Sequence, residues 1–316
     1  MMLSLLRMLS FSSRTYGLLA VSLLPHFLAC QTSPPPVARS VSVVPDSLRY
    51  ALPYDLGQPL RAIELPEGLS ETSGIAYAGE GHLALIEDEH GRIYRYDIRG
   101  DSLEGVYPFG EDRDYEGIEV RGDTAWVLQS KGRLFQVAHF ASDSAREEKI
   151  DLGLNEDMDF EGLSWGPGGR LLILAKEPPR LPNDEKDKAW RVAYAWPGPV
   201  SEPYVRIHTP EVAAFLQYYP AAGGALRDFD PEKTGSIKPS GIGIHPTDGH
   251  IYVIASAGSL LVVLSPDQRV VAVHPLPREL FPQPEGLCFG PDGTLYIASE
   301  GRGGPGRLLV FSPPKP

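Results

Sequence analysis

Five anchors share one pattern, each setting an acid or hydroxyl residue before a glycine: Ser73, Glu116, Glu161, Ser240 and Glu285. Ile or Leu follows each time, so the anchors read Ser73-Gly74-Ile75, Glu116-Gly117-Ile118, Glu161-Gly162-Leu163, Ser240-Gly241-Ile242 and Glu285-Gly286-Leu287. Three carboxylates gathered at one point would repel. At about 5 Å and an effective dielectric of about 20, each pair costs roughly 3 kcal/mol. Such a cluster protonates, spreads apart or binds a cation. Oxygen ligands without His or Cys select a hard ion, and six or more flexible oxygens favour Ca²⁺, whereas Mg²⁺ would keep more waters. None of the 8 His falls within an anchor, which argues against zinc.

The elements that must gather these residues follow from their spacing. The anchor glycines lie 43, 45, 79 and 45 residues apart. Each anchor opens a run of short β-rich segments bounded by Gly, Asp and Pro, which read as strands. Four strands per 40–45 residues is a β-propeller blade. The predicted fold is therefore an all-β, five-bladed β-propeller over residues 59–316. The last blade lacks an outer strand, and residues 59–66 can supply it and close the ring, removing exposed edges. The long third interval leaves six blades as an alternative. The preferred reading is an insertion at about 180–235, Pro-rich at each end, with helical spacing over 210–219, forming a cap or side lobe.

In a propeller the innermost strands line the channel. The five anchors are thus expected to ring its mouth, joined by the loops between second and third strands: Glu87, Asp88 and Glu89; Gln129, Ser130 and Lys131; Lys176 and Glu177; Ser256; Ser299 and Glu300. The expected metal ligands are Glu116, Glu161, Glu285, Ser73, Ser240 and Glu300, with Ca²⁺ as the cofactor. The competing reading is structural. The glycines recur for positive φ or close inter-blade contact, and the glutamates serve as acceptors for backbone N–H groups.

The composition excludes other classes. Gly (33) and Pro (31) make up about a fifth of the chain, which opposes helical bundles. A hydrophobic content of 42% supports a core, and a net charge of −12 opposes nucleic-acid binding. Residues 1–29 carry Arg7 and Arg14, no acid, and an apolar stretch over 18–24. They read as a secretion signal, too short and broken to span a bilayer. Ala29-Cys30 resembles the lipobox of bacterial lipoproteins, so Cys30 is the expected lipidation site and a membrane the expected partner. Residues 30–58 then form a Pro-rich tether, and the bacterial cell envelope is the expected location. A monomer is expected. The other cysteine, Cys288, reads as a buried small hydrophobe. The glycine-rich run 301–306 lacks the Lys-Ser/Thr and helix of a phosphate loop, and reads as a flexible connection.

The anchors, with Tyr115 before Glu116, Phe160 before Glu161 and Pro284 before Glu285, resemble the SdiA-regulated (YjiK-like) family of bacterial envelope proteins. Glu87-Asp88-Glu89, Lys176-Glu177-Pro178 and Ser299-Glu300 resemble it too, and the span is about 66–312. The last unit is similar to NHL repeats. The resemblance implies a five-bladed propeller with bound calcium. Gln129-Ser130-Lys131-Gly132 departs from an acidic loop at that place. The functional expectation is a calcium-binding, lipid-anchored module that takes a small molecule or protein on its open face. The alternative is a metal-dependent hydrolase (lactonase, esterase or phosphoesterase) with Glu177 or Glu300 as base. No Gly-x-Ser-x-Gly or His-Glu-x-x-His motif is present. His90 is the one histidine expected to reach the mouth.

Overall fold

The structure is a computed structural model that describes residues 50–199, 201–216 and 237–313. The expected signal at 1–29, Cys30 and most of the expected tether lie outside the described residues. Strands are numbered in chain order. The first, β1 (Arg61–Glu64), is followed by blade one: β2 (Thr72–Gly79), β3 (His82–Glu87), β4 (Arg92–Asp97) and β5 (Ser102–Pro108). Blade two is β6 (Tyr115–Arg121), β7 (Thr124–Gln129), β8 (Arg133–Ala138) and β9 (Arg146–Asp151). Blade three is β10 (Phe160–Trp165), β11 (Leu171–Ala175), β12 (Trp190–Trp196) and β13 (Val205–His208), followed by helix α1 (Thr209–Leu216). Blade four is β14 (Lys238–Ile244), β15 (Ile251–Ala257), β16 (Leu260–Leu264) and β17 (Val270–Pro275). Blade five is β18 (Gln283–Phe289), β19 (Leu295–Glu300) and β20 (Arg307–Phe311), with β1 pairing antiparallel to β20 as its fourth strand. The protein is a five-bladed β-propeller, closed by its own N-terminal strand as residues 59–66 led us to expect.

Strand burial falls outward across a blade. The inner and middle strands bury both faces, as β11 and β16 do along their whole length, whereas β9 is exposed at five of its six positions. The apolar residues form five clusters, each between neighbouring blades. Leu172 and Leu174 of blade three meet Val253 and Val262 of blade four. Ile75 and Leu85 of blade one meet Cys288 and Ala298 of blade five. Cys288 is indeed buried and free.

Two expectations need correction. The stretch 180–235 is not one separate lobe, because β12 and β13 within it are the third and fourth strands of blade three. What blade three adds is a long connection between β11 and β12, and α1 after β13. Pro and charged residues at 178–188 disguised the strand signal of the apolar run that follows. The packed domain also begins earlier than Gln58. Tyr54 and Leu56 are buried among blades four and five, Tyr50 Oη donates to Asp248 at 2.9 Å, and Tyr54 Oη donates to the Gly293 carbonyl at 2.6 Å. Residues 50–56 thus strap the face where inner strands end, opposite their starts.

The ring closes through glycine. A Cβ on Gly286 would lie 2.9 Å from Ile75 Cγ2 and 3.0 Å from the Ile75 nitrogen. The same approach links Gly74 to Ile118, Gly117 to Leu163, Gly162 to Ile242 and Gly241 to Glu285. These five glycines are absent from the left-handed region. Close approach, rather than positive φ, is what requires them. We expect Gly286→Ala to lower unfolding free energy by about 1–3 kcal/mol, read from the urea midpoint. An unchanged midpoint would contradict this contact.

Candidate functional site

Each inner strand carries the same irregularity. In β2, Thr72 pairs with Glu87 and Gly74 with Ile86, which leaves Ser73 without a partner. The pairing skips Glu116 in β6, Glu161 in β10, Ser240 in β14 and Glu285 in β18 in the same way. All five anchor side chains are therefore the extra residues of β-bulges. A bulge rotates the side chain out of the sheet's alternation. Here it turns an acid or hydroxyl toward the axis, while the next glycine lets the neighbouring blade close in. The five anchors line a single cavity of about 10 Å³, room for about one water.

Burial and mutual charge dominate the electrostatics. Glu161 is buried, and Glu116 and Glu285 are partly so. Burial first, then the charges of Glu161, Asp114 and Glu285, push Glu116 up to about 10. Burial and the Glu161 charge push Glu285 up to about 8. Glu161 rises only to about 7, because Lys176 opposes its burial. Lys176 Nζ donates to Glu161 Oε1 and lies 3.4 Å from Asp159 Oδ2. Burial alone would lower Lys176, yet Glu161, Asp159 and Glu116 hold it above its ordinary value.

Lys176 reaches this place because the chain after β11 is pinned there. Its N–H donates to the Asp159 carbonyl at 2.7 Å, and the next N–H, of Glu177, donates to Met158 at 2.9 Å. Asp159 sits at φ 53°, a conformation costly for a residue with a side chain.

The other sequence candidates divide. Ser240 Oγ donates to the Pro284 carbonyl at 2.7 Å, tying blade four to blade five. Ser73 Oγ is buried and has no hydrogen-bond partner among the described residues. Glu300 does not line the cavity. It accepts from Gln283 Nε2, and burial and the Glu71 charge raise its proton affinity. Glu177 pairs with Lys238 at 2.9 Å and Lys186 at 2.8 Å. Those bonds overcome burial and lower it to about 2, which makes it a poor proton acceptor. Glu87 accepts from the backbone of Glu89 and His90 and from His90 Nδ1, all at 3.0 Å, so both residues organise their loop. In that loop burial pushes Asp88 up to about 6. Ser130 Oγ donates to Asp114.

The sequence reading set Lys176 at the mouth but not as the cation bonded to Glu161 within the acidic ring, and it gave no part to Asp114 and Asp159, which stand two residues before their anchors. The repeated acid–aromatic–Glu-Gly pattern, Asp114-Tyr115-Glu116 and Asp159-Phe160-Glu161, was the available signal. Glu119 of β6 escaped the sequence reading altogether. Its Oε1 accepts from the Trp165 N–H at 3.1 Å, joining blades two and three, and burial pushes it up to about 7.

The donor chemistry suits a hard cation: carboxylate and hydroxyl oxygens, one of them an orphaned buried hydroxyl. The arrangement gives the cation's part to Lys176. Among the described residues no three His, Cys, Asp or Glu side chains form a ready-made metal cage.

These features define a five-bladed propeller with an acidic, lysine-bearing hub on its axis. Residues 54–184 match the SdiA-regulated family, so the resemblance carried by the anchors holds over the first three inner strands. Three solved structures are similar to parts of the chain. Glutaminyl cyclase from Myxococcus xanthus is 13% identical, with 81% of this chain and 95% of that chain covered and a TM-score of 0.50. The PQQ-bound aldose sugar dehydrogenase from Streptomyces coelicolor is 14% identical, covering 81% and 97%, with a TM-score of 0.48. A streptogramin B lyase is 15% identical, covering 78% and 68%, with a TM-score of 0.38.

The hub has a pH signature. A carboxyl raised in the folded state is still protonated when the unfolded chain is ionised, so its penalty begins above 4.5 and grows until pH reaches the folded value. In chelator, Glu116→Gln should therefore stabilise the protein by on the order of 1–3 kcal/mol at pH 9 and by nothing at pH 4. Urea unfolding at both pH values checks this. A gain that is equal at the two would refute it.

Proposed function

We propose that this protein is a binding module whose axial hub takes a hard divalent cation, Ca²⁺ in the first instance. The observation that carries this reading is the bulge ring. Three carboxylates from three blades are turned into one cavity and face a single lysine. Glu116, Glu285 and the Ser73 hydroxyl would hold the ion, joined by Glu161 once Lys176 releases it. The ion would supply positive charge at the mouth, where a ligand's oxygen can meet it. The cavity admits one small occupant, so the bulk of any organic ligand lies outside the hub.

A lipid anchor at Cys30 fits this reading. Residues 50–56 run over the face opposite the hub, so a tether arriving there leaves the hub open to solution. A hydrolytic activity would rest on Glu300, the one of the two candidate bases with raised proton affinity.

Calorimetric titration of the purified protein with Ca²⁺ tests the reading. Saturable binding should vanish in the double variant Glu116→Gln, Glu161→Gln. A hundredfold excess over Kd stabilises by about 2.7 kcal/mol, which should raise the melting temperature by about 5 °C or more. Wild-type protein that neither binds Ca²⁺ nor melts later in its presence would overturn the reading. Lys176 competes for Glu161, so Lys176→Met should tighten Ca²⁺ binding about tenfold. Weaker binding in that variant would show that the lysine supports the site. Lactones, aryl esters and phosphoesters, assayed with and without chelator in wild type and Glu300→Gln, test for hydrolysis.

A further inference from the structure

A second cavity lies beside the hub and has the opposite chemistry. Its volume is about 380 Å³, and Ser256, Gly258, Arg278, Pro282, Gln283 and Arg302 form most of its wall. We propose that this cavity binds the oxyanion group, phosphate or carboxylate, of a small molecule.

The first argument is charge. The chain as a whole stands at −12, yet among the described residues the wall is lined by two arginines and by no Asp or Glu. The two arginines come from different elements. Arg278 lies between β17 and β18, and Arg302 lies between β19 and β20. A guanidinium offers a planar fork of donors matched to carboxylate and phosphate oxygens. The Ser256 hydroxyl and the Gln283 amide add neutral polar groups to the same wall.

The second argument is the backbone that presents Arg302. Its φ is 49°, in the left-handed region that disfavours side chains. The loop is held in that shape. The Gly301 N–H donates to the Ser70 carbonyl at 2.9 Å, and the Gly304 N–H donates to Gly301 at 3.1 Å. A Cβ on Gly301 would fall 2.1 Å from the Gly304 carbonyl oxygen, and one on Gly306 would fall 2.1 Å from that of Leu69. The run 301–306 is therefore a pinned loop, contrary to the flexible connection expected from its composition. Its glycines fix where the arginine emerges.

The third argument is the placement of nearby acids. Glu67 and Glu71 line a separate cavity of about 420 Å³ together with Gly303, Gly304 and Pro305 of the same loop. Glu300 borders the basic wall, where it accepts from Gln283 Nε2 and Arg302 offsets its charge.

Size decides which cavity holds the ligand's bulk. The hub accommodates one water-sized occupant, whereas 380 Å³ is the scale of a small-molecule pocket. Gln283 walls the basic cavity and Glu285, two residues along β18, lines the hub. The two sites are thus roughly 7 Å apart along one strand. The oxyanion site goes beyond the cation reading and stands without it.

Inorganic phosphate and acetate, titrated separately by calorimetry at low ionic strength with chelator present, test the proposal. Wild-type protein should bind at least one of them saturably, and binding should weaken with added salt. Phosphate alone would assign a phosphate-bearing ligand, and binding of acetate too would extend the class to carboxylates. Arg302→Gln and Arg278→Gln should each weaken binding at least fivefold, and the double variant should abolish it. Arg302→Lys, which keeps charge but loses the fork, should fall between. Melting curves confirm that each variant is folded. No saturable binding of either anion to wild type, or undiminished binding to a folded double variant, would overturn the proposal.

Discussion

Five backbones converge on one axis, and the space they leave does not admit a β-carbon. Everything at the centre follows from that contact. Because Gly286 lies against Ile75, and each of the other four glycines against the next inner strand, the ring can close only with glycine at this level. The residue before each glycine is then the one squeezed out of the ladder as a bulge. The steric demand of ring closure and the aiming of the five anchor side chains are one event. A side chain at the glycine would push the blades apart and unseat the hub together.

The hub is the electrostatic consequence. Side chains turned inward by bulges share a cavity with little water, so ionised carboxylates there are costly. The structure distributes that cost unevenly. Glu161 shares a hydrogen bond with Lys176, whereas Glu116 and Glu285 carry the higher proton affinities. Lys176, held at the start of the β11–β12 connection, is an internal counter-ion. Ordinary surface acids such as Glu177 take external lysines instead and stay ionised. The difference between these glutamates is position relative to the axis, since their side chains are chemically identical.

Outside the hub the two faces of the propeller are specialised. One carries the inner-strand starts, the long third-blade connection, the pinned glycine loop and the oppositely charged cavities beside it. The other is covered at blades four and five by Tyr50 and Tyr54. Chemistry therefore gathers on one side and packing reinforcement on the other.

Much of this architecture was legible along the chain. The anchor glycines announced the repeat, the strand rhythm announced blades, and residues 59–66 announced the closing strand, because periodicity and turn residues are local properties. The two outer strands of blade three were lost among prolines and charges, and Tyr54 and Leu56 carry too little pattern to reveal that they dock. The sequence also placed Glu116, Glu161 and Glu285 in register, and so by itself determined that acids would meet at an axis. It did not show why they point there, because a bulge is a relation between two paired strands. It set Lys176 at the mouth but did not show that Lys176 bonds Glu161 as its counter-ion, because that contact arises only when the end of β11 is held beside the start of β10. The types and spacing of the acids were written in one dimension. Their burial, their protonation and their counter-ion were decided by neighbours brought close in three.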